Sequence, residues 1–191
     1  MPETEKTSTR QALIAAAQEL VVDGGWGSVT TRRVADRAGV SPGVVHYHTG
    51  SIEQLRRIAV CEGARALLEG PFREAVDARS LREGLLAFLS RLDSGPDDPR
   101  VALLNEALVA ATHDTALRTD LAAMFSAFRS RLVERLTAQE GAQTGEAEAR
   151  ALVLVAAVDG FLLQSALDPT LDADWFIRGM EPLLITELAP E

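Results

Sequence analysis

Apolar side chains repeat at helical spacing along most of this chain. Leu13, Ala16, Ala17, Leu20 and Val21 recur at intervals of three and four residues, which is the period of a helix with one buried face. The same period returns downstream at Val101, Leu104, Leu108 and Ala111, and then at Leu117, Leu121, Phe125, Phe128, Leu132 and Leu136. No stretch alternates convincingly as a strand would. The pattern predicts an all-α protein of about nine helices.

The first third of the chain carries signals for two short helices joined by a tight turn. Thr30 or Thr31 can cap the first helix, because a hydroxyl there accepts a hydrogen bond from the free N–H groups of the first turn. Gly39 suits the left-handed position past a helix end. Ser41-Pro42 then fits the N-cap and first position of a second helix, which Thr49-Gly50 stops after about two turns.

Two capping boxes flank this pair of helices. Ser8-x-x-Gln11 precedes the apolar repeat that begins at Leu13, and Ser51 with Gln54 opens a helix downstream. The order is a supporting helix, two short helices and a further helix. A short, protruding helix held by its neighbours is how many proteins present side chains to the DNA major groove. We therefore predict a helix-turn-helix.

The rest of the chain is also predicted to be helical. The helix that opens at Ser51 should run to about Asp77, disturbed near Gly70-Pro71, and Asp98-Pro99 fits another helix start. Further helices are expected over about 80–92, 115–139 and 149–167, with GAQTG as a break at 141–145. The final helix, about 172–188, contains Pro182 and should bend near Gly179.

The first third resembles the DNA-binding domain of TetR-type transcriptional regulators. The matching residues are TRQALIAAAQELVVDGG, VTTRRVADRAGVSPGVVHYH and GSIEQL. The resemblance implies a helix-turn-helix domain over residues 7–62 and a ligand-binding and dimerisation domain over residues 63–191. It also implies a homodimer that binds an inverted-repeat operator in double-stranded DNA, normally as a repressor, and leaves it when a small effector binds.

By the same resemblance, the DNA contacts fall on the two short helices. The implied contact residues are Thr31 and Arg32 for a phosphate or base edge, Pro42, Gly43 and Val44 for the groove floor, and His46, Tyr47 and His48 for the backbone. Val45 should instead point inward. Val44 can offer only apolar contact, for instance to a thymine methyl group, whereas the Tyr47 hydroxyl suits a phosphate, which carries little sequence information.

Two positions depart from the family's usual pattern. Ile52 stands where many members carry a phosphate-contacting lysine, and Thr49 stands where an aromatic residue is common. One ionic contact for each half-site is therefore missing, and we expect DNA binding with a shallower salt dependence.

Charge is segregated along the chain. The whole sequence has 19 basic and 28 acidic residues, a net charge of −9. Residues 26–57, however, hold five arginines against Asp36 and Glu53. The arginines could form an ordinary solvated face, but a basic tip on an acidic body also directs DNA to the tip.

The segment ARALVLVAAVDGFLLQSAL at 149–167 is apolar nearly all the way round, so it should be buried on more than one side. Ala156, Ala157 and Gly160 are small enough to let another helix approach closely. We expect the last two helices to form a homodimer interface as a four-helix bundle. The alternative is a central core helix in a monomer.

A ligand pocket in the C-terminal part is a further expectation. The candidate lining residues are Phe88, Leu104, Asn105, Leu108, Met124, Phe128 and Asp159. Each apolar member could equally be plain core. Asp159 on an apolar helix could cap a turn, pair across a dimer or recognise a polar ligand group. The set implies a mostly apolar effector with one polar or cationic feature.

An enzyme is not expected. The chain has three histidines and one cysteine, without the common catalytic or phosphate-binding motifs, and His46 and His48 are poorly spaced to chelate a metal. We expect no cofactor and no metal. Lone Cys61, a polar N-terminus unlike a signal peptide, and no unbroken apolar run longer than 151–158 predict a cytoplasmic protein without a membrane partner. The alternative function is a degenerate helix-turn-helix protein that acts through a protein partner rather than DNA.

Overall fold

The computed structural model describes residues 3–90, 98–140, 142–168 and 170–184. Within these ranges all regular structure is helical, which confirms the predicted all-α class. The segments are α1 (Glu3–Gly24), a 3-10 turn (Trp26–Ser28), α2 (Thr31–Ala38), α3 (Pro42–Thr49), α4 (Ile52–Leu67), a π-helical turn (Leu68–Phe72), α5 (Arg73–Asp77), α6 (Leu81–Ser90), α7 (Pro99–Ala111), α8 (Thr115–Glu140), α9 (Thr144–Leu167) and α10 (Ala173–Leu184). Because the π-helical turn joins α4 to α5, the described ranges contain nine helices.

The caps of the two short helices form as their residues predict. The Thr30 side chain accepts a hydrogen bond from the Arg33 N–H at 3.3 Å, so Thr30 rather than Thr31 is the N-cap of α2. Gly39 ends α2 in the left-handed conformation, with φ 68°. Ser41 and Pro42 begin α3, although the Ser41 side chain makes no capping hydrogen bond.

The start of α1 differs from the prediction. Ser8-x-x-Gln11 was expected to open this helix, but α1 begins at Glu3 and Ser8 lies inside it. A serine followed three residues later by a glutamine also fits inside a longer helix, so this pattern alone does not fix the helix start. The box at Ser51 is confirmed in its first half, since the Ser51 hydroxyl accepts from the Gln54 N–H at 3.1 Å.

The disturbance predicted near Gly70-Pro71 is a π-helical turn. Pro71 lies inside it, and proline removes a backbone donor that an α-helix would use. A wider π turn accommodates this locally and lets the helical path continue into α5. The predicted ends of α6 at about residue 92 and of α10 at about residue 188 lie outside the described residues.

The chain forms two compact units, each made from two stretches of sequence. Unit 1 comprises the described residues of Met1–Ala66 together with Pro99–Leu121. In it α2 and α3 pack on α1, and α7 packs on α1 and the 3-10 turn. A hydrogen bond of 2.7 Å from the Trp26 N–H to the Glu106 carboxylate fixes α7 to that turn.

Unit 2 comprises the described residues of Leu67–Asp98 and Ala122–Glu191. In it α6 packs against α5 and α10, and α10 also packs against α9. Gly84 makes the approach of α6 possible, since a Cβ atom there would lie 1.9 Å from the Ala75 carbonyl oxygen. The two units are thus interleaved along the sequence. The predicted boundary between a DNA-binding domain ending at residue 62 and a C-terminal domain beginning at residue 63 concerns function and remains a prediction.

Helix α9 has two apolar faces. One face is buried and includes Ala151, Leu154 and Val158. The opposite face leaves Leu163 and Leu167 exposed to solvent. Among the described helices, α9 is the one that is long and apolar enough to cross a membrane. The buried core helix of a soluble protein can have the same length and composition. The absence of a membrane partner therefore remains a prediction.

Candidate functional site

The side chains of α3 fall into a buried group and an unburied group. Val45 and Thr49 are buried against the rest of unit 1, and the Thr49 hydroxyl donates to the Val45 carbonyl at 2.8 Å. The remaining residues form what we call the α3 face. Its members are Pro42, Gly43, Val44, His46, Tyr47 and His48, none of which is buried.

Aromatic side chains form part of the α3 face. Tyr47 is 68% exposed, and its ring meets the His48 ring edge-on with centroids 5.1 Å apart. Val44 is only partly exposed, one turn before His48. The face therefore offers an apolar contact beside hydrogen-bonding side-chain tips.

Most arginines near α3 hold the fold rather than project freely. Arg33 donates to the Ser28 carbonyl at 3.1 Å and Arg56 to the Val29 carbonyl at 2.7 Å. Arg57 lies 3.5 Å from Asp114. These side chains secure the chain leading into α2 and the neighbouring α7–α8 turn, so their charges are partly committed.

Arg37 is held by two acidic residues of α1. It contacts Asp23 at 2.8 Å and Glu19 at 2.9 Å. The hydrogen bonds that the guanidinium donates, first to Asp23 and then to Glu19, raise its pKa above the usual value. The arrangement ties α2 to α1.

Arg32 differs from these four arginines. It is exposed at the start of α2, and in the described part of unit 1 no hydrogen bond or ion pair engages it. Thr31 precedes it, partly exposed. Arg32 is thus the cation near α3 whose donors are available to a ligand.

A second feature is an apolar cavity of about 50 Å³ within unit 2. Its lining residues are Phe72, Ala75, Val76, Leu81, Leu85, Phe128, Leu132, Leu154, Val155, Val158 and Leu184. We call it the apolar cavity. The Phe72 ring approaches the Phe128 ring, which also lines the cavity, with centroids 5.4 Å apart, and it stacks on Phe88 behind the wall at 4.1 Å.

Family models match most of the chain. One for bacterial regulatory proteins of the tetR family matches residues 13–57, and one for a tetracyclin repressor-like C-terminal domain matches residues 76–186. The chain belongs to the TetR family. TetR-family proteins are non-enzymatic, DNA-binding transcriptional regulators, and ligand binding and dimerisation are typical of them.

Solved structures share this TetR-family fold. A transcriptional regulator from Rhodococcus sp. Rha1 superimposes with a TM-score of 0.75 at 24% identity over 92% of this chain and 93% of that one. The multidrug binding protein EbrR, complexed with imidazole, gives 0.74 at 24% over 99% and 96%. A protein from Saccharomonospora viridis in complex with choline gives 0.74 at 17% over 92% and 95%. None of the curated proteins gives a match.

The predicted ligand residues of this TetR-family chain are divided between the two units. Phe128 lines the apolar cavity, and Phe88 supports its wall through Phe72. Met124 and Asp159 belong to unit 2 but are not among the lining residues. The other three, Leu104, Asn105 and Leu108, lie on α7 within unit 1.

Burial raises the pKa of two groups, Asp159 and Cys61, well above their usual values. Burial raises the pKa of Asp159 to about 6, and no partner for its carboxylate is present among the described residues. Burial also raises the pKa of the Cys61 thiol to about 11, with a smaller contribution from Asp120, so this thiol is a poor nucleophile at neutral pH. The described residues contain no group of three or more metal-binding side chains.

Sequence patterns did not indicate most of the cavity lining. Phe72, Leu81 and Leu154 follow helical periods that any core would show, so only the packing of α5, α6 and α9 reveals that they surround a space. Sequence patterns also did not single out Arg135, a buried cation of α8. It continues the face of Phe128 and Leu132 on α8, and a lone cation on an apolar stripe was the available signal.

Proposed function

We propose that this TetR-family protein is a ligand-responsive repressor that binds an inverted-repeat operator as a homodimer in the cytoplasm. A small, mostly apolar effector releases it from DNA. The exposed α3 face carries the proposal, because Val44, His46 and Tyr47 contribute little to the core of unit 1 yet are held on a rigid two-turn helix. That is the arrangement needed to insert side chains into a major groove.

The proposed contacts divide into reading and positioning. Val44 and the available donors of Arg32 would read base edges. Tyr47 and the histidines would contact phosphates, as would Thr31 at the N-terminus of α2, where unpaired N–H groups favour anions. Pro42 and Gly43 have no bulky side chain and would let the α3 backbone approach the groove floor.

The proposed homodimer uses the unburied face of α9. Ala149, Val153, Ala156, Gly160, Leu163 and Leu167 follow one another at alternating intervals of four and three residues. This is the heptad spacing of a helix seam that packs against a partner helix. Leu167 is 81% exposed and Trp175 of α10 is 74% exposed within one chain, and such apolar surface marks an interface. We infer that a second copy covers it.

The apolar cavity is the proposed effector site. Its lining is entirely apolar, which suits the hydrophobic body of a small molecule. Its volume, about 50 Å³, is far below the roughly 300–1,000 Å³ of common ligand pockets, so an effector would have to displace lining side chains. EbrR and the Saccharomonospora viridis protein, which were solved with small molecules, support a ligand site in a chain of this fold.

For the mechanism, we propose that effector binding changes the separation of the two α3 faces in the dimer. Two faces bind one operator only when they match successive major grooves, about 34–36 Å apart for one helical turn. A ligand that released DNA without altering this separation in solution would contradict the mechanism.

A mobility-shift assay on DNA from the protein's own promoter region tests the proposed function. We expect Tyr47→Ala to weaken binding to every sequence, since it removes a phosphate contact. Val44→Ala should instead change base preference, since it removes a contact to a base edge. Equal effects of both changes on specific and random DNA would contradict the assignment of the α3 face.

The alternative is a helix-turn-helix protein that acts through a protein partner. Ile52 in place of the usual lysine and the net charge of −9 favour it. The same assay separates the two functions, because a protein that acts only through a partner gives no shift with any duplex.

A further inference from the structure

Arg135 is a buried cation in unit 2. Its residue is only 8% exposed, and its two terminal nitrogens donate to backbone carbonyls, Nη1 to Val76 at 2.7 Å and Nη2 to Arg79 at 3.2 Å. The Nε donor has no partner. It is the one buried side-chain nitrogen or oxygen atom in the described residues for which this is so.

No acidic side chain among the described residues neutralises this guanidinium. Asp77, which follows Val76 in the chain, pairs instead with Arg131 at 2.6 Å, one turn earlier on α8. Carbonyl groups satisfy N–H donors but carry no net charge. A cation removed from water without a counter-anion is unfavourable, so the site is electrostatically incomplete.

Arg135 lies next to the apolar cavity in two independent ways. It is seven residues after Phe128 and three after Leu132, which places all three on one face of α8, and both of the others line the cavity. Its Nη1 also bonds the carbonyl of Val76, a third lining residue. The guanidinium therefore adjoins the wall of the apolar cavity, although Arg135 is not itself a lining residue.

We propose that the effector is an amphipathic monocarboxylate, with its hydrocarbon body in the apolar cavity and its carboxylate bound by Arg135. This rests on the proposed function only in taking the apolar cavity as the effector site. Nε and Nη2 form one edge of the planar guanidinium. Such an edge can donate two parallel hydrogen bonds to a carboxylate, and Nε is unused while Nη2 carries two N–H groups.

Arg135, rather than the apolar lining, would select against a cation. No acidic residue is among those that line the cavity, and Asp159 is not one of them. A cationic ligand would add a second positive charge near Arg135 without a partner. A neutral ligand would fill the cavity but leave Nε unpaired.

Direct binding to the full-length protein tests the proposal with three probes of equal chain length, octanoate, 1-octanol and octylammonium. Titration calorimetry measures each affinity without DNA. We expect octanoate to bind about ten- to a hundredfold more tightly than 1-octanol, the range of a hydrogen-bonded charge pair, and octylammonium to bind most weakly. Equal affinities for octanoate and octanol, preference for octylammonium, or no octanoate binding would overturn the proposal.

Two arginine variants provide the matched comparison. Arg135→Gln should abolish the preference for octanoate while leaving octanol binding within about twofold, since only the charge-assisted hydrogen bonds are lost. Arg131→Gln removes an exposed arginine from the same helix and should keep the preference. If Arg135→Gln does not fold by circular dichroism, the three-probe comparison on the unmodified protein still decides.

The outcome is separable from that of the proposed function. Selective binding of octanoate by a protein that shifts no DNA would support the carboxylate site and contradict the proposed repressor function. DNA binding that only a neutral or cationic compound reverses would support the repressor function and contradict the carboxylate proposal.

Discussion

Single arginines near α3 differ in what their guanidinium groups contact. Arg33, Arg37, Arg56 and Arg57 each bond a carbonyl or a carboxylate of unit 1, whereas no such contact engages Arg32 in the described residues. Net charge by segment cannot separate these roles, because it counts all five equally. The structure separates the four arginines that bond groups of unit 1 from Arg32, whose donors no described residue uses.

Arg32→Ala and Arg37→Ala should therefore have different consequences. We expect Arg32→Ala to lower operator affinity about tenfold or more with an unchanged melting temperature, since one base or phosphate contact is lost. Arg37→Ala breaks two exposed ion pairs and should lower the melting temperature slightly, with affinity within about twofold. Fluorescence anisotropy and thermal unfolding check the pair. The reverse pattern would show that Arg32 is structural.

Among the described glycines, Gly84 is the one at which an added methyl group would meet the closest contact. A Cβ atom would lie 1.9 Å from the Ala75 carbonyl oxygen, so Gly84→Ala must push α6 away from α5. We expect a loss of about 3 kcal/mol in the free energy of unfolding, measured by urea denaturation. Gly145→Ala is the control, since nothing lies within 4 Å of the added atom. Similar losses for both would mean that α6 shifts easily.

At the scale of elements, the cap and stop residues predicted the helices better than they predicted what the helices enclose. Thr30, Gly39 and Ser51 act locally, so their positions fix helix ends from sequence alone. The start of α1 was missed because a capping pattern at Ser8 also fits inside a longer helix. The apolar cavity depends on how α5, α6, α8 and α9 pack, which their shared apolar period does not encode.

The stability of the folded protein should depend on pH through Asp159 of α9. Burial raises the pKa of this carboxyl to about 6, above the roughly 3.9 of an unfolded chain. Below about pH 4 both states are protonated and no penalty exists. As the pH rises from about 4 to 6, the unfolded chain ionises this carboxyl while the folded state keeps it protonated, so stability falls by up to about 3 kcal/mol and then levels off above pH 6.

Asp159→Asn should remove this penalty. We expect the variant to be more stable than the parent at pH 8, and the gain to shrink as the pH falls from 6 to 4. Asp168→Asn is the control, because hydrogen bonds from Thr170 lower the pKa of Asp168 and its loss should not stabilise. Urea unfolding at a series of pH values measures both. A gain at Asp159 that does not vary with pH would show that desolvation of the carboxylate is not its cause.

At the scale of the whole molecule, the heptad seam of α9 predicts the state of assembly. Leu163→Glu places a charge in that seam and should give a monomer by sedimentation velocity. Because the two half-sites are then bound separately, operator affinity should fall about a hundredfold or more. Val109→Glu alters a residue of α7 that is 66% exposed and should leave the dimer intact. A dimeric Leu163→Glu protein would place the interface elsewhere.

The interleaving of unit 1 has a practical consequence for engineering. The Trp26 N–H bonds Glu106 at 2.7 Å, and a side chain at Gly63 would collide with Leu103. A chimera that transplanted only residues 1–66 onto another regulator would therefore meet a foreign α7 and lose these contacts. To graft this protein's operator specificity intact, the donor fragment must bring 99–121 with it.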